Sequence, residues 1–153
     1  MSGTLKGKYR PRNPEKYRGD AGNILYRSSW ELNFMQWCDY KSDRVVWWQS
    51  EEKRIPYYDP IQKKRRIYYP DFFIGYKSSD DIVRDTLVEV KPVKQVKGPP
   101  QNPKRRTKRW VSEVQTYVTN RAKWQAAAEW CEDHGANFQL ITEKELGLWQ
   151  RSW

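Results

Sequence analysis

The run Asp85-Thr86-Leu87-Val88-Glu89-Val90-Lys91 sets the tightest limit on how this chain can fold. Its β-branched and apolar residues read as a strand, and Pro92 ends it. Side chains two apart on a strand share a face, so Glu89 and Lys91 point one way and Val88 and Val90 the other. A carboxylate and an ammonium on a strand flanked by buried residues are costly unless they are paired or have a job. By itself the pair decides nothing, because Glu-x-Lys is common on solvated strand faces.

A second acid breaks a second apolar run, Tyr69-Pro70-Asp71-Phe72-Phe73-Ile74. An Asp there is expelled or neutralised unless a cation holds it. If its strand pairs with the Glu89 strand, the two acids converge, and carboxylate oxygens with water are the donors magnesium takes. Further upstream, Ser28-Ser29-Trp30-Glu31 opens a helix predicted over 29–41. Ser28 is its cap, Glu31 completes a capping box, and Trp30, Phe34, Trp37 and Cys38 recur at helical spacing. The cap alone accounts for Glu31; a helix starting at the acid pair would give it a second role.

Strands are also predicted at 45–48, 53–58 and 65–75, the last two as a hairpin around a polar turn, with Pro56 placing one of them at an edge. Residues 92–106, rich in Pro and Lys, read as a mobile loop. A helix follows over 107–133, with Trp110, Val114, Tyr117, Trp124, Ala128 and Cys131 on one stripe and Gly135 as its stop. A strand at 137–141 and a capping box from Thr142 to Glu145 lead into a short helix holding Leu146 and Trp149. This order predicts an α/β fold, a mixed sheet flanked by helices, in one domain over 24–153. Residues 1–23, with six Lys and Arg among Gly and Pro, read either as a basic extended arm for DNA or protein, or as a frayed terminus.

Composition narrows the chemistry. Lys and Arg total 29 against 19 Asp and Glu, a formal charge of +10 that favours a polyanionic partner. Nine Trp, ten Tyr and four Phe must fill much of a core whose apolar fraction is only 37%. Cys38 and Cys131 have no metal-site or disulfide spacing, and His134 is the single histidine. Any catalysis therefore falls to carboxylates and lysine. No signal peptide or membrane-spanning run is read, so a reducing, cytosol-like compartment is expected.

Taken in order, Ser28-Ser29-Trp30-Glu31, Tyr69-Pro70-Asp71-Phe72 and Val88-Glu89-Val90-Lys91 resemble the PD-(D/E)xK nuclease superfamily. The nearest form is the endonuclease subunit of heteromeric cut-and-paste transposases. With its Tyr9-Arg10-Pro11-Arg12-Asn13 segment and tryptophan-rich body, the whole chain is similar to the head completion nucleases of T-even-like phages. The resemblance implies a restriction-endonuclease-like αβββαβ core and Mg2+-dependent cleavage of double-stranded DNA, with Mn2+ as a substitute. It implies Asp71 and Glu89 as metal ligands beside the Val90 carbonyl, Glu31 as an outer or second ligand, and Lys91 as the group that orients the attacking water. Gln115, polar amid Val111, Val114 and Val118, is a further candidate from the long helix.

Lys63, Lys64, Arg65 and Arg66 cluster at the predicted hairpin. Lys94, Lys97, Lys104, Arg105, Arg106, Lys108 and Arg109 lie along the loop leaving the Glu89 strand. Contacts from such groups to phosphates position DNA without reading its bases, so strong salt dependence and little sequence preference are expected. The resemblance also implies a setting: action after DNA packaging and before tail attachment, beside phage head, portal or neck proteins, in the host cytoplasm or the virion, and with no membrane. Two other readings stay open: a catalytically silent DNA-end-binding or connector protein, and an RNA-binding module.

Overall fold

The computed structural model describes residues 5–145. In chain order they form β1 (Gly7–Lys8), β2 (Leu25–Tyr26), α1 (Ser29–Gln36), β3 (Val45–Ser50), β4 (Ile55–Asp59), β5 (Lys64–Tyr68), β6 (Phe72–Lys77), β7 (Val83–Val90), α2 (Val93–Lys97), α3 (Lys108–His134) and β8 (Asn137–Ile141). A mixed sheet in the order β3-β6-β7-β8 forms the centre, antiparallel except for the parallel β7–β8 pair. Helices cover both of its faces, as in a restriction-endonuclease-like fold.

Alternation along β7 divides the core in two. Val88 and Val90 pack with Phe34, Met35 and Cys38 of the first helix, joined by Trp48, Phe72 and Ile74. Leu87, on the opposite face, packs with Trp124, Ala127 and Cys131 of α3 and with Ile55, Tyr57 and Tyr68 of the β4–β5 hairpin. Trp48, Phe34 and Phe72 are each at most 1% exposed. Burying a ring of this kind contributes roughly 1.5–3 kcal/mol, so few aliphatics are needed.

The first helix starts where expected: Ser28 Oγ accepts the Glu31 N–H at 3.2 Å. Its end differs. Trp37–Lys41 winds as a π-helical turn, closed by the Ser42 N–H to the Trp37 carbonyl at 3.0 Å. That turn buries Asp39 completely, and the N-terminal segment is tied to it. Asp39 accepts hydrogen bonds from the Tyr9 hydroxyl at 2.6 Å and from the amides of Arg12 and Asn13 at 2.7 and 2.9 Å. The segment over 8–23, with short 3-10 turns at Pro14–Lys16 and Ala21–Asn23, lies against its own domain, with Tyr9 and Tyr17 edge-on to Trp48. Lys8 and Arg10 are exposed, while Arg12 lies over the Tyr40 ring, Arg18 over the Trp47 ring, and the Lys16 ammonium donates to the Ser42 carbonyl at 3.3 Å.

The strand predicted over 65–75 is two strands. Pro70, buried, offers no N–H to a ladder, and the chain changes sheets at Tyr69-Pro70-Asp71. β5 pairs with β4 in a separate hairpin, whereas β6 joins β3 and β7. Gly75 in β6 leaves room for the Trp47 indole; a Cβ there would meet its Nε1 at 2.1 Å.

Residues 92–106 are the expected loop only beyond Lys97. They begin with α2, and the Trp110 indole N–H donates to the Pro100 carbonyl at 2.8 Å. Gly98, at φ 81°, lets the backbone lie against the Tyr117 ring, where a Cβ would come within 2.6 Å of Cδ1. α3 then runs from its Thr107 cap to Gly135, which is left-handed at φ 66°. Its expected stripe is buried only at Trp124 and Cys131; Trp110, Val114 and Tyr117 are half-buried and Ala128 is exposed. The first turns of α3 meet α2 and the loop rather than the sheet. Beyond β8, Glu145 accepts the Thr142 N–H at 2.9 Å, the expected capping box; Leu146 and Trp149 lie outside the described residues.

Candidate active site

β6 and β7 pair with Phe72 opposite Val88, so Asp71 and Glu89 fall opposite each other at the strand ends. The Val90 amide donates to Asp71 Oδ2 at 2.8 Å, and the Asp71 amide reaches Glu89 Oε1 at 3.3 Å. Each strand thus binds its neighbour's acid. Lys91 Nζ stands 3.4 Å from Glu89 Oε2, on the face that alternation assigns to both. The N-terminus of α1 approaches the same strand ends. Ser28, Glu31, Asp71, Val90 and Lys91 line one recess of about 160 Å³ with Pro92 and Gln95.

Electrostatics matches the crowding. Burial, then the Glu89 charge, pushes the Asp71 carboxyl well above the usual carboxylate range; the Val90 amide and Lys91 oppose the rise, and Glu31 adds to it. Burial also raises Glu31, with Glu51 and Glu89 adding to the rise against the Arg27 amide, which donates to Glu31 Oε2 at 2.5 Å. Acids raised by one another's charge are those a bound cation relieves.

The donor set fits a hard divalent ion only in part. Among the described residues, no three His, Cys, Asp or Glu side chains stand ready to hold a metal. Glu89 Oε1 is taken by the Tyr68 hydroxyl at 2.6 Å and Oε2 by Lys91. Asp71 Oδ1 takes no hydrogen bond from a described residue, and Glu31 lines the same recess. Asp71, with Glu31 across from it and Val90 beside it, is the open part of the set. Glu89 joins only by loosening Tyr68 or Lys91.

The other candidates divide. Gln115 does not reach this recess: it is exposed and lines a different one, between the hairpin and α3. Gln95 of α2 lines the site in its place. Lys63 to Arg66 are exposed on the hairpin, while Lys94, Lys97, Lys104, Arg105, Arg106, Lys108 and Arg109 are exposed along α2, the loop and the start of α3. Since Gln95 and Lys94 are neighbours, this second group begins at the recess itself. Sequence reasoning missed Gln95, Tyr68 and Lys123. Tyr68 is 4% exposed and Lys123 Nζ lies 5.8 Å from its ring centroid, a layer behind Glu89. Only the inward-facing hydroxyl of a tyrosine next to the Pro-Asp turn signalled it.

This acid–acid–lysine arrangement lies within a matched family. Residues 42–143 match the family described as TnsA-like endonuclease N terminal. The chain belongs to the TnsA-like endonuclease family. The matched stretch takes in Asp71, Glu89 and Lys91 and starts beyond Glu31. The head completion nuclease of Enterobacteria phage T4 is 37% identical over 144 residues, spanning 92% of each chain. Membership in this TnsA-like family and that likeness make the chain an endonuclease. No helix among the described residues is long and apolar enough to cross a membrane.

Proposed function

We propose that this chain is a Mg2+-dependent DNA endonuclease with little sequence preference. The observation that carries the reading is the convergence of Asp71, Glu89 and Lys91 from two adjacent strands, with Glu31 across the recess. Phosphodiester hydrolysis needs a positioned water and neutralised charge more than a covalent nucleophile. Asp71, Glu31 and the Val90 carbonyl would hold the ion, Mn2+ substituting. Such an ion supplies charge for the phosphate and a more acidic bound water. Lys91 orients the attacking water and offers positive charge to the phosphate oxygens, and Glu89 keeps its ammonium in place. His134 takes no part: it stacks on Trp130, 4.1 Å between centroids.

The exposed cations of the hairpin and of the α2–α3 region flank the recess and suit backbone phosphates on either side of the cut. The name of the phage relative supports a role in head completion; we place that role after packaging and before tail attachment. The partners would be head, portal or neck proteins, met in the host cytoplasm or in the virion.

One observation favours a second reading, a silent DNA-end-binding or connector protein: both oxygens of Glu89 are held by protein groups. Incubation with linear and supercoiled DNA plus Mg2+ or Mn2+ separates the two. Metal-dependent cutting that disappears in Asp71→Ala and in Lys91→Ala supports the nuclease. DNA binding without cutting in any form supports the connector.

A further inference from the structure

We propose that the recess between the β4–β5 hairpin and α3 is a second phosphate site, holding a backbone phosphate of the bound DNA away from the bond that is cut. This inference rests on the nuclease reading and extends it. The recess has a volume of about 300 Å³ and is lined largely by hydroxyl, amide and cationic side chains. Asn120 forms part of its lining. It is 7% exposed, and among the described residues nothing hydrogen-bonds to its side-chain amide. That amide opens into the recess, where it can donate to a ligand oxygen.

Lys123 lines the same space. Its ammonium lies 5.9 Å from the Tyr57 ring centroid and 5.8 Å from that of Tyr68, and no described carboxylate comes within ion-pair distance. Burial lowers its pKa, against the charge of Glu89, so a further anion in the recess would favour its charged form. Arg66 adds a guanidinium at the mouth, held by the side chain of Gln62. The acid in the lining, Asp59, is turned into the hairpin, where Oδ1 accepts the amides of Ile61 and Gln62 at 2.9 and 3.2 Å. Three donors, two of them cationic, suit a phosphodiester oxygen. Tyr68 lies under Lys123 and grips Glu89, so the site lies one side chain behind the catalytic strand.

The test uses the full chain carrying Asp71→Ala, in EDTA, so that binding is read without cutting. Anisotropy of a labelled duplex and of a single strand of the same sequence is followed across a salt series, and inorganic phosphate is titrated separately. Lys123→Gln should weaken DNA binding about tenfold and reduce the salt slope by about one. Lys123→Arg should restore most of the loss, and Asn120→Ala should weaken binding about threefold. A loss on either probe supports the site and shows which form of DNA it takes. Unchanged affinity and slope in both Lys123→Gln and Asn120→Ala would overturn it, as would phosphate binding that leaves DNA affinity untouched by either change. Cleavage by the chain with Asp71 intact is scored apart. Normal use of the recess without cutting sinks the nuclease reading alone, whereas cutting with a silent recess sinks this inference alone.

Discussion

The main-chain amide of Val90 donates to Asp71 Oδ2, while the main-chain amide of Asp71 reaches back to Glu89 Oε1. The two acids are therefore set by the pairing of β6 and β7, not by their own rotamers alone. A shift of one residue in that register would turn one acid to the other face and dissolve the site.

Tyr68 is the side chain whose loss should separate chemistry from binding. Its hydroxyl holds one oxygen of Glu89 in a buried position. Tyr68→Phe keeps the ring and its packing but frees the acid. We expect cleavage to fall roughly tenfold or more, because a loosened Glu89 no longer keeps the Lys91 ammonium in place, with DNA affinity in EDTA unchanged. Single-turnover rates beside anisotropy check this; an unaltered rate would show that Glu89 needs no such support.

Stability without metal should depend on pH through Asp71. Its folded-state carboxyl is raised by burial and then by Glu89. For a raised acid, stability is fully present below the ordinary carboxylate range, where folded and unfolded chains both hold the proton. It is lost as pH rises toward the folded-state value. Asp71→Asn should therefore raise Tm in EDTA at neutral and alkaline pH and leave it nearly unchanged in acid. The gain is on the order of 2–4 °C for each kcal/mol relieved. Added Mg2+ or Mn2+ should raise Tm of the unsubstituted chain and not of the variant. Thermal melts across pH, with and without metal, measure both effects.

Asp39 holds the N-terminal segment through three hydrogen bonds in a fully buried position. Asp39→Ala strands those donors and should cost roughly 2–4 kcal/mol. Limited trypsin digestion should then cut after Arg12 or Lys16, which the parent chain resists. Equal digestion of both would mean that the segment is not clamped in solution.

The exposed clusters should act through charge count. Replacing Lys63, Lys64 and Arg65 by Gln should lower the slope of log affinity against log salt by about 0.9 for each phosphate that the protein no longer neutralises. Affinity should weaken alike across unrelated DNA sequences. The same change at Lys104, Arg105 and Arg106 tests the other flank. Weakening confined to one sequence would point to base reading instead.

Much of this protein is local and so was open to reading from residue order. The Ser28 cap, the Thr107–Gly135 limits of the long helix, the 137–141 strand and the Glu89–Lys91 face follow from capping chemistry and side-chain periodicity, which act within a few residues. Asp71 and Glu89 stood out for the same reason, as charges inside apolar runs. What lay beyond reach depends on partners distant in the chain. Pro70 hands β6 to another sheet, Asp39 draws the basic segment onto the domain, and Tyr68 and Lys123 are placed behind Glu89. Gln115, by contrast, is turned away because the first turns of α3 run past the sheet. Periodicity tells which face a side chain takes, but only the packed structure tells what stands opposite it. Burial and charge repulsion, the forces that tune this site, arise from that opposition.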